Sequence, residues 1–130
     1  MSLFEGIRDG KEPATIVYKD DYITAFEDIH PEAPVHILII PNKTIKSLNE
    51  VVDDDVDYLS HILLGASKIA KLRGIGESGY RLITNCNYDG GQEVDYLHFH
   101  LVGGVRLGNM IKLPKSSKKK MKQVDKDSGD

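Results

Sequence analysis

One seven-residue run, VHILIIP at positions 35–41, restricts the fold more than any other segment of this 130-residue chain. Apolar residues fall on both of its faces, so as a strand it must be covered on both sides, and Pro41 closes it without an N–H to donate. Such a strand belongs inside a sheet, not at its edge. Its partners can be read nearby. TIVYKD and YITAFED are β-rich runs around Asp20-Asp21 and predict a hairpin. YRLITN (80–85) and LHFHLVG (97–103) predict two more strands, joined by CNYDGGQEVDY.

Between these strands the periodicity changes. From Asp53 to Arg73, Val52, Val56, Leu59, Leu63, Ala66 and Ala70 recur at three and four residues, the stripe of an amphipathic helix. Asp53, Asp54 and Asp55 suit its N-terminus, Lys68, Lys71 and Arg73 its C-terminus, and Gly74 its stop. Leu3, Phe4 and Ile7 predict a short helix ending near Gly10. The expected fold class is α+β: an antiparallel sheet of about five strands with one long helix packed on it.

The segment 1–113 reads as one domain, with 114–130 a lysine-rich tail expected to be disordered. Six Lys against three Asp give residues 115–130 a charge of about +3 within an overall charge of −3. A solvated extension explains that tail, and no specific nucleic-acid partner is expected. No run approaches the roughly 18 apolar residues that span a bilayer, and MSLFEGIRDG lacks the pattern of a secretory signal. The single cysteine, Cys86, cannot form an intrachain disulfide. These features lead to the expectation of a cytoplasmic chain, away from membranes.

The chemistry concentrates on histidine. In LHFHLV the strand period of two puts His98, His100 and Val102 on one face and Leu97, Phe99 and Leu101 on the other. Two polar rings side by side on a buried strand cost about 1–3 kcal/mol each if unpaired, so they need partners or a use. His36 on VHILIIP is a third candidate, on a face the sequence leaves open. Just upstream, Asp89-Gly90-Gly91-Gln92 could let backbone N–H groups converge on an anion. A phosphate cradle beside two imidazoles suits phosphoryl transfer, whereas hydrogen-bonded structural histidines and an ordinary turn are the plainer explanations.

Taken together, AFEDIHPEAPVHILIIP, GYRLITNCNYDGGQEV and LHFHLVGG resemble the histidine-triad (HIT) superfamily, and within it the branch of purine nucleotide-binding phosphoramidases. The resemblance implies a HIT-like fold, a homodimer, no cofactor or metal, and cleavage of P–N bonds in adenosine or guanosine 5′-phosphoramidates, with AMP or GMP as the nucleotide part. It makes His98 the nucleophile that forms a nucleotidyl-histidine, His100 a contact to the phosphate and departing group, and Asn85 a further catalytic element. Gly91, Gln92, Glu93 and Val94 become the phosphate side and Asp28 the acceptor of ribose hydroxyls. Leu3, Phe4, Phe26 and Ile29 become the purine slot, with His30 at the sugar edge. For Leu3, Phe4, Phe26 and Ile29, ordinary core packing competes, and for His30 a loop role.

One position departs from the family's HxHxHxx pattern. Tyr96 takes the place of the first histidine, which the resemblance places behind the nucleophile and bonded towards His36. A phenol donates one hydrogen bond but carries no positive charge, so reduced or retuned activity is expected. Three other readings stand beside this one: a dinucleoside polyphosphate hydrolase, a nucleotide-binding scaffold with a decayed triad, and a zinc site built on His36, His98 and His100. His61, beside the helical stripe, reads as structural.

Overall fold

The computed structural model describes residues 2–117, so the greater part of the expected tail lies outside the described residues. A short helix, α1 (Leu3–Arg8), precedes a hairpin of β1 (Ile16–Lys19) and β2 (Ile23–Glu27), then β3 (Val35–Pro41). A long helix, α2 (Val56–Leu72), follows, and the chain returns through β4 (Tyr80–Thr84) and β5 (Phe99–Gly103). The five strands form one antiparallel sheet in the order β1-β2-β3-β5-β4. The strand with two apolar faces is its centre, and all seven of its residues are buried. Asp20 turns the hairpin, its carboxylate accepting the N–H groups of Tyr22 and Ile23 at 2.7 and 2.9 Å.

Strand parity divides the sheet into two faces with different work. Ile23 and Ala25 of β2, Ile37 and Ile39 of β3, and Leu101 of β5 pack under α2 in the main core. Phe26, Leu38 and Ile40 point the other way, into a smaller cluster with Phe4 and Ile7 of α1 and with Tyr96. The imidazoles of His36, His98 and His100 project from this second face.

Two details differ from the sequence reading. The helical stripe runs along Ile62, Gly65, Ala66, Ile69 and Ala70, while Val52, Val56 and Leu63 are more than half exposed. Val52 precedes the helix, and Val56 and Leu63 lie on the flank of a face centred a third of a turn away. The three aspartates form a 3₁₀ turn ahead of α2, where buried Asp55 accepts the Val52 N–H at 3.0 Å and pairs with Lys43. The last strand begins at Phe99, two residues later than expected, where its ladders with β3 and β4 both end. No helix among the described residues is long and apolar enough to cross a membrane.

Candidate active site

A cleft of about 750 Å³ opens between α1 and the face of the sheet opposite α2. Leu3, Phe4, Phe26 and Ile29 line one part, Asp28 and the three histidines the middle, and Asn85, Gly91, Glu93 and Val94 the far wall. His30 is exposed, with its backbone N–H on the Asp28 carboxylate, and it does not line the cleft. Sequence reading missed Glu12, Pro13, Ala14, Glu27 and Glu32, loop or edge residues whose spacing carries no signal.

Hydrogen bonds fix the state of each imidazole. His98 is buried, and its Nδ1 lies 2.7 Å from the Tyr96 carbonyl oxygen, which can only accept. Nδ1 therefore carries the proton and Nε2 the free lone pair. Phe4 meets the His98 ring edge-on, centroids 5.3 Å apart, and restricts its tilt. His36 has the opposite tautomer, because its Nδ1 accepts the Glu32 backbone N–H at 3.0 Å. Its Nε2–H then points at His100 Nδ1, 2.9 Å away, with the Asp28 carboxylate at 3.3 Å as a second acceptor. His100, accepting at Nδ1, must keep its own proton on Nε2.

Register explains why these rings meet. His36 pairs with Val102 and Leu38 with His100, so His36 and His100 are diagonal neighbours on one face, within reach of long side chains. Burial, and after it the neighbouring His98 and His36, push the His100 imidazole down to about 4. Asp28 opposes this only partly. His100 is thus a neutral donor at physiological pH.

The glycine turn is built differently from a simple anion cradle. The N–H groups of Gly91 and Gln92 close the turn onto the carbonyls of Tyr88 and Asn87 at 3.0 and 3.1 Å, so in this form they do not face the cleft as free donors. Gln92 does not line the cleft. Its amide nitrogen donates to the Lys46 and Val94 carbonyls and its oxygen accepts the Asn87 N–H, making it a strut for the loop. Asn85 donates to the Gly90 carbonyl at 2.7 Å and holds the same loop from below. Gly90 sits so close to Cys86 that an added Cβ would lie 2.4 Å from its carbonyl oxygen.

Tyr96 does not bond towards His36. Extending the antiparallel register places residue 96 opposite the end of β3, some six residues or about 20 Å along the strand from His36. Its hydroxyl instead donates to the Pro41 carbonyl at 2.5 Å and accepts from partly exposed Arg8 at 3.2 Å, the tyrosine itself being fully buried.

Among the described residues, the groups close enough to share a metal ion are Asp28, His36 and His100, not the set with His98. His36 fits that use poorly. With Nδ1 accepting from Glu32, the proton sits on Nε2, the atom that would have to ligate.

This geometry has known counterparts. The HIT domain model matches residues 9–107. An uncharacterized HIT-like protein of Buchnera aphidicola subsp. Acyrthosiphon pisum is 55% identical over 106 residues, covering 82% of this chain and 93% of its own length. The purine nucleoside phosphoramidase of Escherichia coli K12 is 49% identical over 110 residues, covering 85% of this chain and 92% of its own. Among solved structures, a HIT family hydrolase from Legionella pneumophila superimposes with a TM-score of 0.81 at 49% identity, over 83% of this chain and 96% of that one. Domain match, identity and fold agree: this chain belongs to the HIT family and is an enzyme of that family.

Proposed function

We propose that the chain is a purine nucleoside phosphoramidase that hydrolyses adenosine or guanosine 5′-phosphoramidates through a nucleotidyl intermediate on His98. The observation that carries this is the tautomer of His98, whose Nδ1–H is held by the Tyr96 carbonyl so that the Nε2 lone pair is free in the cleft. Nε2 attacks the α-phosphorus and the P–N bond breaks, the departing amine held by a hydrogen bond from His100 Nε2–H and taking its proton from water in the cleft. The nucleotidyl-imidazolium keeps its Nδ1–H on the carbonyl, which stabilises its charge. Water then attacks the phosphorus and releases its proton to solvent, balancing the one taken up by the amine, and the nucleotide leaves as the P–Nε2 bond breaks and His98 is restored.

The other cleft residues take supporting parts. Leu3, Phe4, Phe26 and Ile29 enclose the purine, Asp28 accepts the ribose hydroxyls, and Asn85, Gly91, Glu93 and Val94 border the phosphate. Gln92 and Asn85 keep that border in place. The homodimer implied by the sequence resemblance has a surface to use: Leu63, Leu64 and Leu72 of α2 are exposed, and β4 is an edge strand of the sheet among the described residues. The lone Cys86 suits a reducing, cytoplasmic setting.

Charge favours phosphoramidates over dinucleoside polyphosphates. Among the described residues, Glu12, Glu27, Asp28, Glu32 and Glu93 line the cleft and no Lys or Arg does so, which penalises a leaving group carrying several phosphates and tolerates an amine. Comparing kcat/KM on adenosine 5′-phosphoramidate and diadenosine tetraphosphate tests this. A preference of about a hundredfold for the phosphoramidate is expected. The reverse preference would make the chain a polyphosphate hydrolase, and AMP binding with turnover of neither would make it a binding module.

A further inference from the structure

Tyr96 occupies the first triad position, yet both hydrogen bonds of its hydroxyl run away from the histidine cluster. One goes to the Pro41 carbonyl and the other comes from Arg8 at the last turn of α1. The Arg8 guanidinium also donates to Thr44 Oγ1 at 2.9 Å and to both oxygens of Asp9, and lies 5.9 Å from the centre of the Tyr96 ring. Arg8 thus ties α1 to the segment after β3 and to the residue two before the nucleophile.

That tie matters because α1 has only six residues, too few to hold its shape or place without tertiary contacts. Its Phe4 lines the cleft and meets three rings edge-on: Phe26 at 5.6 Å, Tyr96 at 6.2 Å and His98 at 5.3 Å. A shift of α1 therefore moves one wall of the purine slot, while His98 keeps its own anchor through Nδ1 to the Tyr96 carbonyl. An imidazole at position 96 could not serve as the phenol does. Being shorter, it would not reach both Pro41 and Arg8, and a protonated ring would face the guanidinium.

We propose that Arg8 and Tyr96 are a matched pair of positioning residues that lock α1 against the sheet and so set the affinity of the purine slot. Tyr96 is on this view a working element of the site, and not the remnant of a lost triad. The inference builds on the phosphoramidase reading but is tested separately through AMP binding, which needs no turnover.

The experiment measures the AMP dissociation constant by calorimetry, and kcat and KM on adenosine 5′-phosphoramidate, for Tyr96→Phe, Arg8→Gln and the double variant. The same constants are taken for ribose 5-phosphoramidate, which lacks the base. Each single change should raise the AMP dissociation constant and the adenosine-substrate KM about five- to tenfold, with kcat within about threefold. The double variant should be no worse than either single one, because both break one link. KM for the base-free substrate should stay put. Tyr96→His, although it restores the triad pattern, should lower kcat/KM. Unchanged AMP affinity in folded Arg8→Gln, additive effects, or equal losses on both substrates would overturn the pairing; failure of wild type to turn over either substrate would overturn the phosphoramidase reading and leave the AMP measurement to judge the pair.

Discussion

Replacing Gly90 with alanine perturbs the loop beside the nucleophile with a single methyl group. The new Cβ would lie 2.4 Å from the Cys86 carbonyl oxygen, 2.8 Å from its nitrogen and 3.1 Å from its carbonyl carbon. All three are backbone atoms and cannot rotate aside. Restoring ordinary contact needs a displacement of about 1 Å, which stretches the Asn85 bond to the Gly90 carbonyl and drags the wall formed by Gly91 and Glu93. Overpacking of this kind costs about 1–3 kcal/mol. A misplacement of about 1 Å near reacting groups can cost about 10² in rate. Gly91→Ala is the informative neighbour: its Cβ would meet nothing within 4 Å, but its φ of +77° is a left-handed conformation costing a non-glycine residue about 1–2 kcal/mol. Thermal unfolding and steady-state turnover of adenosine 5′-phosphoramidate should show Gly90→Ala losing about a hundredfold in kcat/KM and Gly91→Ala less than tenfold, at similar losses of stability. A fully active, fully stable Gly90→Ala protein would refute the tight-turn account of the loop.

Other consequences can be checked independently. NMR titration should show His100 neutral down to about pH 4. Because that value lies below the roughly 6.5 of an unfolded histidine, its contribution to stability should be complete above pH 6.5 and decline between 6.5 and 4, and a midpoint near 6.5 would contradict the buried-donor role. Asp28→Asn should weaken AMP binding about tenfold or more while leaving 2′,3′-dideoxy-AMP little affected; equal effects on both would remove Asp28 from ribose recognition. If the exposed leucines of α2 bury against a second copy, wild type should sediment as a dimer at micromolar concentration and Leu64→Glu as a monomer, whereas a monomeric wild type would end the dimer proposal.

Much of this was legible in the residues, and the failures have definite physical causes. Val35 to Pro41 announced a central strand because both faces were apolar, and strand parity put His98 and His100 side by side. Periodicity within a strand says nothing about its neighbours, so the pairing of His36 with His100 and the separation of His36 from Tyr96 required the β3–β5 register. Gln92 and the Gly91 amide looked like ligand contacts in the linear motif. Their commitment to the loop itself follows from a turn through Asn87, a non-glycine residue with φ of +59°, which composition does not reveal. On α2, counting in threes and fours found Ala66 and Ala70 but drifted onto the exposed flank at Val56 and Leu63, since small Gly65 gave no hydrophobic signal on the true contact face.

The claim on which the mechanism stands is that one imidazole nitrogen takes the nucleotide. Rapid alkaline quench of enzyme mixed with excess adenosine 5′-phosphoramidate, followed by peptide mass spectrometry, should find a single adenylyl group on the peptide bearing His98. His98→Ala should carry none and lose at least a thousandfold in kcat, while still binding AMP. An adenylyl group on another residue, or turnover by His98→Ala at the wild-type rate, would contradict it.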